Sequence, residues 1–165
     1  MRIGIGIDVH AFAVAQEKRP LLLGGVRIDH ECGLAGHSDA DVLTHAVMDA
    51  LLGAARHGDI GELFPSDNPA YLGADSLVLL AGVRDLLKQD GWLVEDIDCV
   101  IIAQRPHLAP YRQHMRQNIA GVLEMNPANV GIKATTSDYL GFEGREEGIS
   151  AYAMALLRHP DSHKQ

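Results

Sequence analysis

The sequence predicts an α+β fold: a two-layer sandwich in which a mixed β-sheet is covered by helices on one face. Three observations predict it. Period-2 apolar alternation opens the chain, segments of helical spacing alternate with short apolar runs of strand type, and no repeat, low-complexity tract or linker divides the whole. At 165 residues the chain fits one domain, 1–165, since domains run to roughly 100–200 residues. Roughly the last seven residues are expected to be a flexible tail.

Ile3, Ile5, Ile7 and Val9 alternate with Gly4, Gly6, Asp8 and His10, the signature of a half-buried strand. Asp8 and His10 share the face opposite the isoleucines. Leu21 to Ile28, with Gly24-Gly25 inside it, reads as a hairpin or bulged strand. Ser38-Asp39-Ala40-Asp41 resembles a capping box, and Val42, Ala46, Val47, Ala50, Leu51 and Ala54 follow at helical spacing, so a helix to about Arg56 is predicted. Residues 57–76 are rich in glycine, proline and turn-formers without sustained period, and read as a long loop. A second helix runs from Ser76 to a stop at Gly91, with Leu77, Leu80, Ala81 and Leu87 on one side. Asp98 to Gln104 reads as a buried strand entering a proline-flanked turn. A third helix starts near Pro110 with Met115, Ile119, Val122 and Leu123 as its stripe, and Val130 to Ala134 is a further strand. From Ile149 to Leu157 the alternation is that of a strand, while the Ala, Met and Leu content favours helix.

Composition bounds the function. With 47% apolar and 22% charged residues the chain is an ordinary globular domain. The balance of 14 Lys+Arg against 22 Asp+Glu gives net charge -8 and no basic run, which argues against nucleic acid as a partner. Cys32 and Cys99 are isolated, as in a reducing cytoplasm. MRIGIGIDVH meets an acid and a histidine before any apolar signal core forms, and no run reaches the ~18 apolar residues of a membrane span. A soluble, untargeted, cytoplasmic protein with no membrane partner is the expectation.

On one strand face, Asp8 and His10 stand roughly 6.5–7 Å apart at i and i+2, so both heads can converge on one metal ion. His45 is the natural third ligand; Asp41, His45 and Asp49 lie on one helical stripe, and Asp41 or Asp49 could instead orient the imidazole. Two histidines and a carboxylate with an open fourth position suit a catalytic Zn²⁺. The competing reading makes Asp8 a solvating edge group and the histidines ordinary surface or core residues. Gly4-x-Gly6 is not a dinucleotide fingerprint, because Val9 stands where the third glycine would fall. His37-Ser38 is placed either to bind an anion at a helix N-terminus or, through Ser38, simply to cap it. Lys133-Ala134-Thr135-Thr136-Ser137-Asp138 combines a cation, hydroxyls and a carboxylate, fit for phosphate oxygens and a hard cation, or for a polar turn. Arg145 could pair with a phosphate or with Glu143, Glu146 or Glu147. Neither cysteine has a base partner and no G-x-S-x-G elbow occurs, so a metal-assisted reaction on a phosphorylated small molecule is the class indicated.

The segments GIGIDVHAF, GHSDADVLTHAVMDALLGAARHGDIGELFP, ADS, IIAQRPHLAPY and IKATTSDYLGFEGREEGI together closely resemble the 2-C-methyl-D-erythritol 2,4-cyclodiphosphate synthase family, from Arg2 to about Leu157. The resemblance implies a phosphorus-oxygen lyase of the non-mevalonate isoprenoid pathway. It would convert 4-diphosphocytidyl-2-C-methyl-D-erythritol 2-phosphate into the cyclic diphosphate with release of CMP. It implies Zn²⁺ on Asp8, His10 and His45, and a second cation, Mg²⁺ or Mn²⁺, on Asp138, where family members usually carry Glu.

The implied cytidine pocket falls on Ala103, Gln104, Arg105, Pro106, His107, Leu108 and Ala109 with Thr135 and Thr136; His107 stands where lysine is common. The methylerythritol part falls to His37, Ser38, Asp59, Ile60, Gly61 and the flexible loop Phe64, Pro65, Ser66, Asp67 and Asn68, in which the usual two-acid pattern is shifted. Asp8, Val9 and His10, together with Lys133, Ser137 and Asp138, complete the implied substrate contacts, and His37 and Thr136 are the implied catalytic residues. The family is a homotrimer with sheets around the threefold axis and active sites between subunits, which would make 149–157 a strand. Phe142 and Arg145 would face a central cavity suspected of binding an isoprenoid diphosphate. Two other functions are open: a zinc-dependent phosphoester hydrolase on the same triad, and a non-catalytic trimeric binding protein for nucleotide or isoprenoid diphosphate.

Overall fold

The computed structural model describes residues 1–14 and 18–160. Strands β1 (Arg2–Ala11), β2 (Leu21–Leu23) and β3 (Val26–Ile28) precede helix α1 (Val42–Ala55), the single-turn α2 (Ile60–Leu63) and α3 (Ser76–Gln89). Then come β4 (Leu93–Ile102), α4 (Arg112–Leu123), β5 (Val130–Thr135), the single-turn α5 (Gly141–Gly144) and β6 (Gly148–Arg158). The main sheet has the order β1-β6-β4-β5. Antiparallel pairs β1/β6 and β6/β4 and the parallel pair β4/β5 make it mixed, as expected. Helix α4 is the crossover that parallel neighbours require. Helix α1 lies on β1 and β6, α4 on β5, and α3 packs against both helices.

The N-terminal alternation is present, but its apolar side faces outward. Ile3, Ile5, Ile7 and Val9 are 60%, 64%, 50% and 49% exposed. The glycine side is the one that meets α1: a Cβ on Gly4 or Gly6 would stand 2.0 Å from the carbonyl oxygen of Ala50 or Ala46. Bare glycine backbone lets the helix settle directly on the strand, where any side chain would hold it off. Across from this strip, β6 pairs Met154 with Ile5 and Tyr152 with Ile7, extending the outward apolar surface.

Helix α1 is buried nearly all round, including Leu43, Thr44, His45, Met48 and Leu52 beyond the predicted stripe. A helix held between sheet and helix has no solvent face, so one apolar stripe under-describes it. Its N-cap is Asp41, not Ser38. Fully buried Asp41 accepts from Gly24 N (2.9 Å), Gly25 N (2.7 Å), Thr44 N (3.0 Å) and Thr44 Oγ1 (2.9 Å), tying the helix start to the hairpin turn. Both turn glycines have positive φ, 57° and 68°, as a two-residue hairpin of matching twist demands. Burial pushes the Asp41 carboxyl up, opposed by the hydrogen bonds from Thr44, Gly25 and Gly24.

Strand β4 begins five residues before the predicted Asp98, because its first half pairs with the end of β6. The predicted long loop holds α2 and a short 3₁₀ turn, and the third helix starts at Arg112 after another such turn. The ambiguous last segment is a strand. Its alternate small residues Ala151, Ala153 and Ala155 face the core beneath α1, where a larger side chain would separate the layers. The expected tail falls mainly on 161–165, outside the described residues; His159 packs edge-on against Trp92 at 5.2 Å. Among the described residues no helix is long and apolar enough to cross a membrane.

Candidate functional site

The glycine contact between β1 and α1 brings Asp8 and His10, two and four residues beyond Gly6, against His45. Asp8 Oδ2 lies 2.9 Å from His45 Nδ1 and 3.0 Å from His10 Nε2, and the two nitrogens are 3.3 Å apart. The three ligand atoms fall within 4.8 Å of one another, a cation-sized cluster.

The far side of each imidazole is also fixed. His10 Nδ1 donates to the Ala35 carbonyl at 2.6 Å, so Nε2 turns to the cluster. The Ser76 hydroxyl donates to Asp39 Oδ1, and Ser76 N donates to Asp39 Oδ2 at 2.8 Å. Ser76 Oγ therefore accepts from His45 Nε2 at 2.9 Å, with Ser38 Oγ nearby at 3.1 Å. That leaves His45 Nδ1 as a bare lone pair facing a carboxylate oxygen. Two acceptors at 2.9 Å repel unless a cation or proton lies between them, and two neutral imidazoles with one carboxylate form a donor set for a divalent ion. Where protons rather than a cation fill those gaps, burial raises the Asp8 pKa, but hydrogen bonds and charge from His10 and His45 outweigh it and hold the carboxyl well below the usual range. Burial lowers that of His10, but its contact with Asp8 leaves it raised.

Neither acid suggested by helical spacing orients His45. Asp41 is the cap described above, and Asp49 accepts from Ile60 N at 2.9 Å, anchoring α2. The orienting pair is Asp39 and Ser76, brought together from α1's approach and α3's first residue. Sequence spacing carries no signal for that encounter.

A cleft of ≈ 280 Å³ opens over the triad. His37, Ser38, Ile60, Gly61, Phe64 and Ser66 line it, as do Met48, Tyr71 and Leu79, which the sequence reading missed. Phe64 and Tyr71 meet edge to face at 5.4 Å. Asp59 caps α2 through Glu62 N and Asn68 caps the next turn through Ala70 N. Pro65, Asp67 and Asn68 do not line this cleft. His37 Nε2 lies 3.4 Å from the Asn68 carbonyl.

A larger cleft of ≈ 780 Å³ lies at the carboxyl ends of the parallel neighbours β4 and β5. Ala103 through Ala109, Thr135 and Thr136 line it as the sequence reading expected, with His30, Glu31, Arg112, Ala134 and Glu146 in addition. Such strand ends are where parallel sheets ordinarily receive ligands. Arg105 pairs with Glu146 at 3.3 Å across it, and Gln104 Oε1 accepts from Tyr139 N at 3.2 Å. The two clefts share no lining residue.

Several residues assigned to the site by sequence line neither cleft. Val9 faces outward on β1. Lys133 donates to Asp98 on the adjacent strand, Ser137 Oγ donates to the Leu140 carbonyl at 2.6 Å, and Arg145 pairs with Glu147 at 2.8 and 3.0 Å. Phe142 lies in α5. Asp138, at φ 52°, accepts from Thr136 Oγ1 at 3.3 Å and is not part of the triad. Burial pushes the Cys99 thiol up to about 12, consistent with a packing rather than nucleophilic role.

Fold and site define a class: a mixed-sheet α+β enzyme with a candidate divalent-cation centre. Residues 1–158 match the model of the YgbB family, and the chain belongs to that family. It is 57% identical over 157 residues to the 2-C-methyl-D-erythritol 2,4-cyclodiphosphate synthase of Cyanothece sp., covering 95% of this chain and 96% of that one. To the synthase of Synechococcus elongatus it is 55% identical over 156 residues, covering 94% and 96%. Among solved structures it is similar to the bifunctional IspDF of Campylobacter jejuni, with TM-score 0.91 and 42% identity, covering 96% of this chain but 42% of that one. It is similar also to the IspF of Plasmodium falciparum in complex with CDP, with TM-score 0.82, 33% identity and 94% of each chain covered. The activity is that of a cyclodiphosphate synthase, a lyase-type enzyme, and the hydrolase and non-catalytic readings are not favoured.

Proposed function

We propose that the triad holds Zn²⁺ and that the larger cleft holds the cytidine end of 4-diphosphocytidyl-2-C-methyl-D-erythritol 2-phosphate. The observation that carries the metal assignment is the pairing of Asp8 Oδ2 with two imidazoles whose other nitrogens are already committed. That donor set fits zinc, and its chemistry when bound is to withdraw charge from phosphoryl oxygens. Asp138 is the proposed protein ligand for Mg²⁺ or Mn²⁺; as one carboxylate outside the triad it suits a cation held mainly by substrate phosphates and water.

The remaining chemistry is positioning. An oxygen of the 2-phosphate forms a bond to the β-phosphorus of the same molecule, and the bond from that phosphorus to the CMP oxygen breaks. CMP leaves with the electron pair, so no covalent enzyme intermediate is needed. Ala103 to Ala109 and Thr135 hold the leaving nucleotide. His37 and Thr136 orient the reacting phosphates, and Ser38, Ile60, Gly61 and Phe64 enclose the methylerythritol chain. Asp59, Ser66, Asp67 and Asn68 belong to the segment that folds over it.

We further infer a cytoplasmic homotrimer. The two clefts of one chain have no residue in common, and the outward strip of Ile3, Ile5, Ile7 and Val9 is an apolar sheet face of the kind that marks an assembly surface. Threefold packing of that face would set one subunit's metal cleft beside its neighbour's nucleotide cleft. Phe142 and Arg145 would then border the central cavity, where an isoprenoid diphosphate is the proposed ligand. His45→Ala tests the centre: zinc content and cyclisation should both be lost while the far-ultraviolet circular dichroism is kept. Retention of stoichiometric zinc would exclude His45 as a ligand.

A further inference from the structure

The loop that presents His37 to the metal cleft is gripped from two sides. Arg19 Nη1 donates to the Gly36 carbonyl at 2.8 Å, and Nη2 of the same guanidinium donates to the Ser38 carbonyl. Between them, Gly73 N donates to the His37 carbonyl at 2.9 Å, and just beyond, Asp39 N donates to Ala74 O at 3.1 Å. Three successive carbonyls, those of Gly36, His37 and Ser38, are thus engaged, and His37 and Ser38 line the cleft.

Arg19 is itself seated firmly. A Cβ on Gly33 would stand 2.2 Å from the Pro20 carbonyl oxygen and 2.6 Å from that of Arg19, so segments 19–20 and 33 are in backbone contact. The neighbouring chain is tied by Ala13 N to Gly33 O at 2.8 Å and by Ala35 N to Ala11 O at 2.8 Å. The planar guanidinium reaches the carbonyls of residues i and i+2 from two separate nitrogens held in a fixed fork; the three N–H donors of a lysine ammonium radiate from a single nitrogen and do not reproduce that spacing.

We propose that Arg19 is a positioning residue for cyclisation, acting through His37 by clamping the carbonyls on either side of it. This rests on the proposed placement of His37 beside the reacting phosphates. Arg19 is not one of the triad residues and lines neither the metal cleft nor the nucleotide cleft; at His10 only its charge is felt. Its loss loosens the loop on either side of His37 while the three triad ligands and the nucleotide cleft are all retained, and a misplacement of order 1 Å at a reacting group can cost up to about 100-fold in rate.

The test is a double-mutant cycle on metal-loaded full-length protein with Arg19→Ala, Arg19→Lys, His37→Ala and the Arg19→Ala/His37→Ala double variant. Arg19→Ala should lower kcat about tenfold or more, keep zinc stoichiometry and CMP affinity, and recover partly on addition of ethylguanidinium. Arg19→Lys should fall nearly as far, and it carries the test if the alanine variant melts. In the His37→Ala background the Arg19 effect should shrink to less than about twofold, since residues in one chain of contacts do not add. Full additivity, or an Arg19→Lys variant with unchanged kcat, would overturn the proposal. Unchanged kcat in His37→Ala alone would instead remove the reading beneath it, so the two failures are told apart.

Discussion

Single residues in the candidate centre divide into those that spacing reveals and those that only the fold brings together. Asp8 and His10 were legible because a strand puts i and i+2 on one face, and His45 because an imidazole, in line with Asp41 and Asp49, is conspicuous on a helix face able to hold leucine. Their supports were not legible. Asp39 and Ser76 are 37 residues apart and meet only where α3 begins beside the approach to α1, whereas the acids at helical spacing, Asp41 and Asp49, serve as a cap and an anchor. Removing an orienting partner typically weakens a metal site by about 10–100-fold. Ser76→Ala should therefore weaken zinc binding by about tenfold, the low end, because Ser38 Oγ stays within 3.1 Å of His45 Nε2. Competition against a calibrated chelator measures it, and unchanged affinity would remove Ser76 from the account.

At the scale of elements, the strands and long helices follow from periodicity, and the departures have packing causes. The N-terminal alternation predicts a strand, yet local pattern cannot say which side the rest of the chain covers. Gly4 and Gly6 decide it by admitting the backbone of α1, and the same contact sets Asp8 and His10 against His45. The final strand was ambiguous because alanine suits a helix intrinsically and a close-packed sheet layer by size. Gly6→Ala is expected to push β1 from α1, since its Cβ would meet the Ala46 oxygen at 2.0 Å. Overpacking of this kind costs about 1–3 kcal/mol. Urea denaturation should show that loss together with weakened metal binding; wild-type values of both would separate the glycine contact from the centre.

For the whole molecule, the covered and open faces of the sheet carry different tasks. The covered face builds the core and the centre. The open face leaves Ile5 and Ile7 at 64% and 50% exposure, although fully burying such a side chain yields about 1.5–3 kcal/mol. Aspartate at position 5 would place a charge in the proposed threefold contact, so Ile5→Asp should shift sedimentation equilibrium from trimer toward monomer and abolish turnover with it. A fully active monomer would refute active sites shared between subunits.

The central claim, a metal-dependent cyclisation, is tested most directly by ³¹P nuclear magnetic resonance of the protein with 4-diphosphocytidyl-2-C-methyl-D-erythritol 2-phosphate, once with Zn²⁺ and Mg²⁺ and once after chelation. The predicted result is cyclic diphosphate and CMP in equal amounts with metal, and unchanged substrate without it. Linear hydrolysis products, or cyclisation that survives complete removal of metal, would contradict the account.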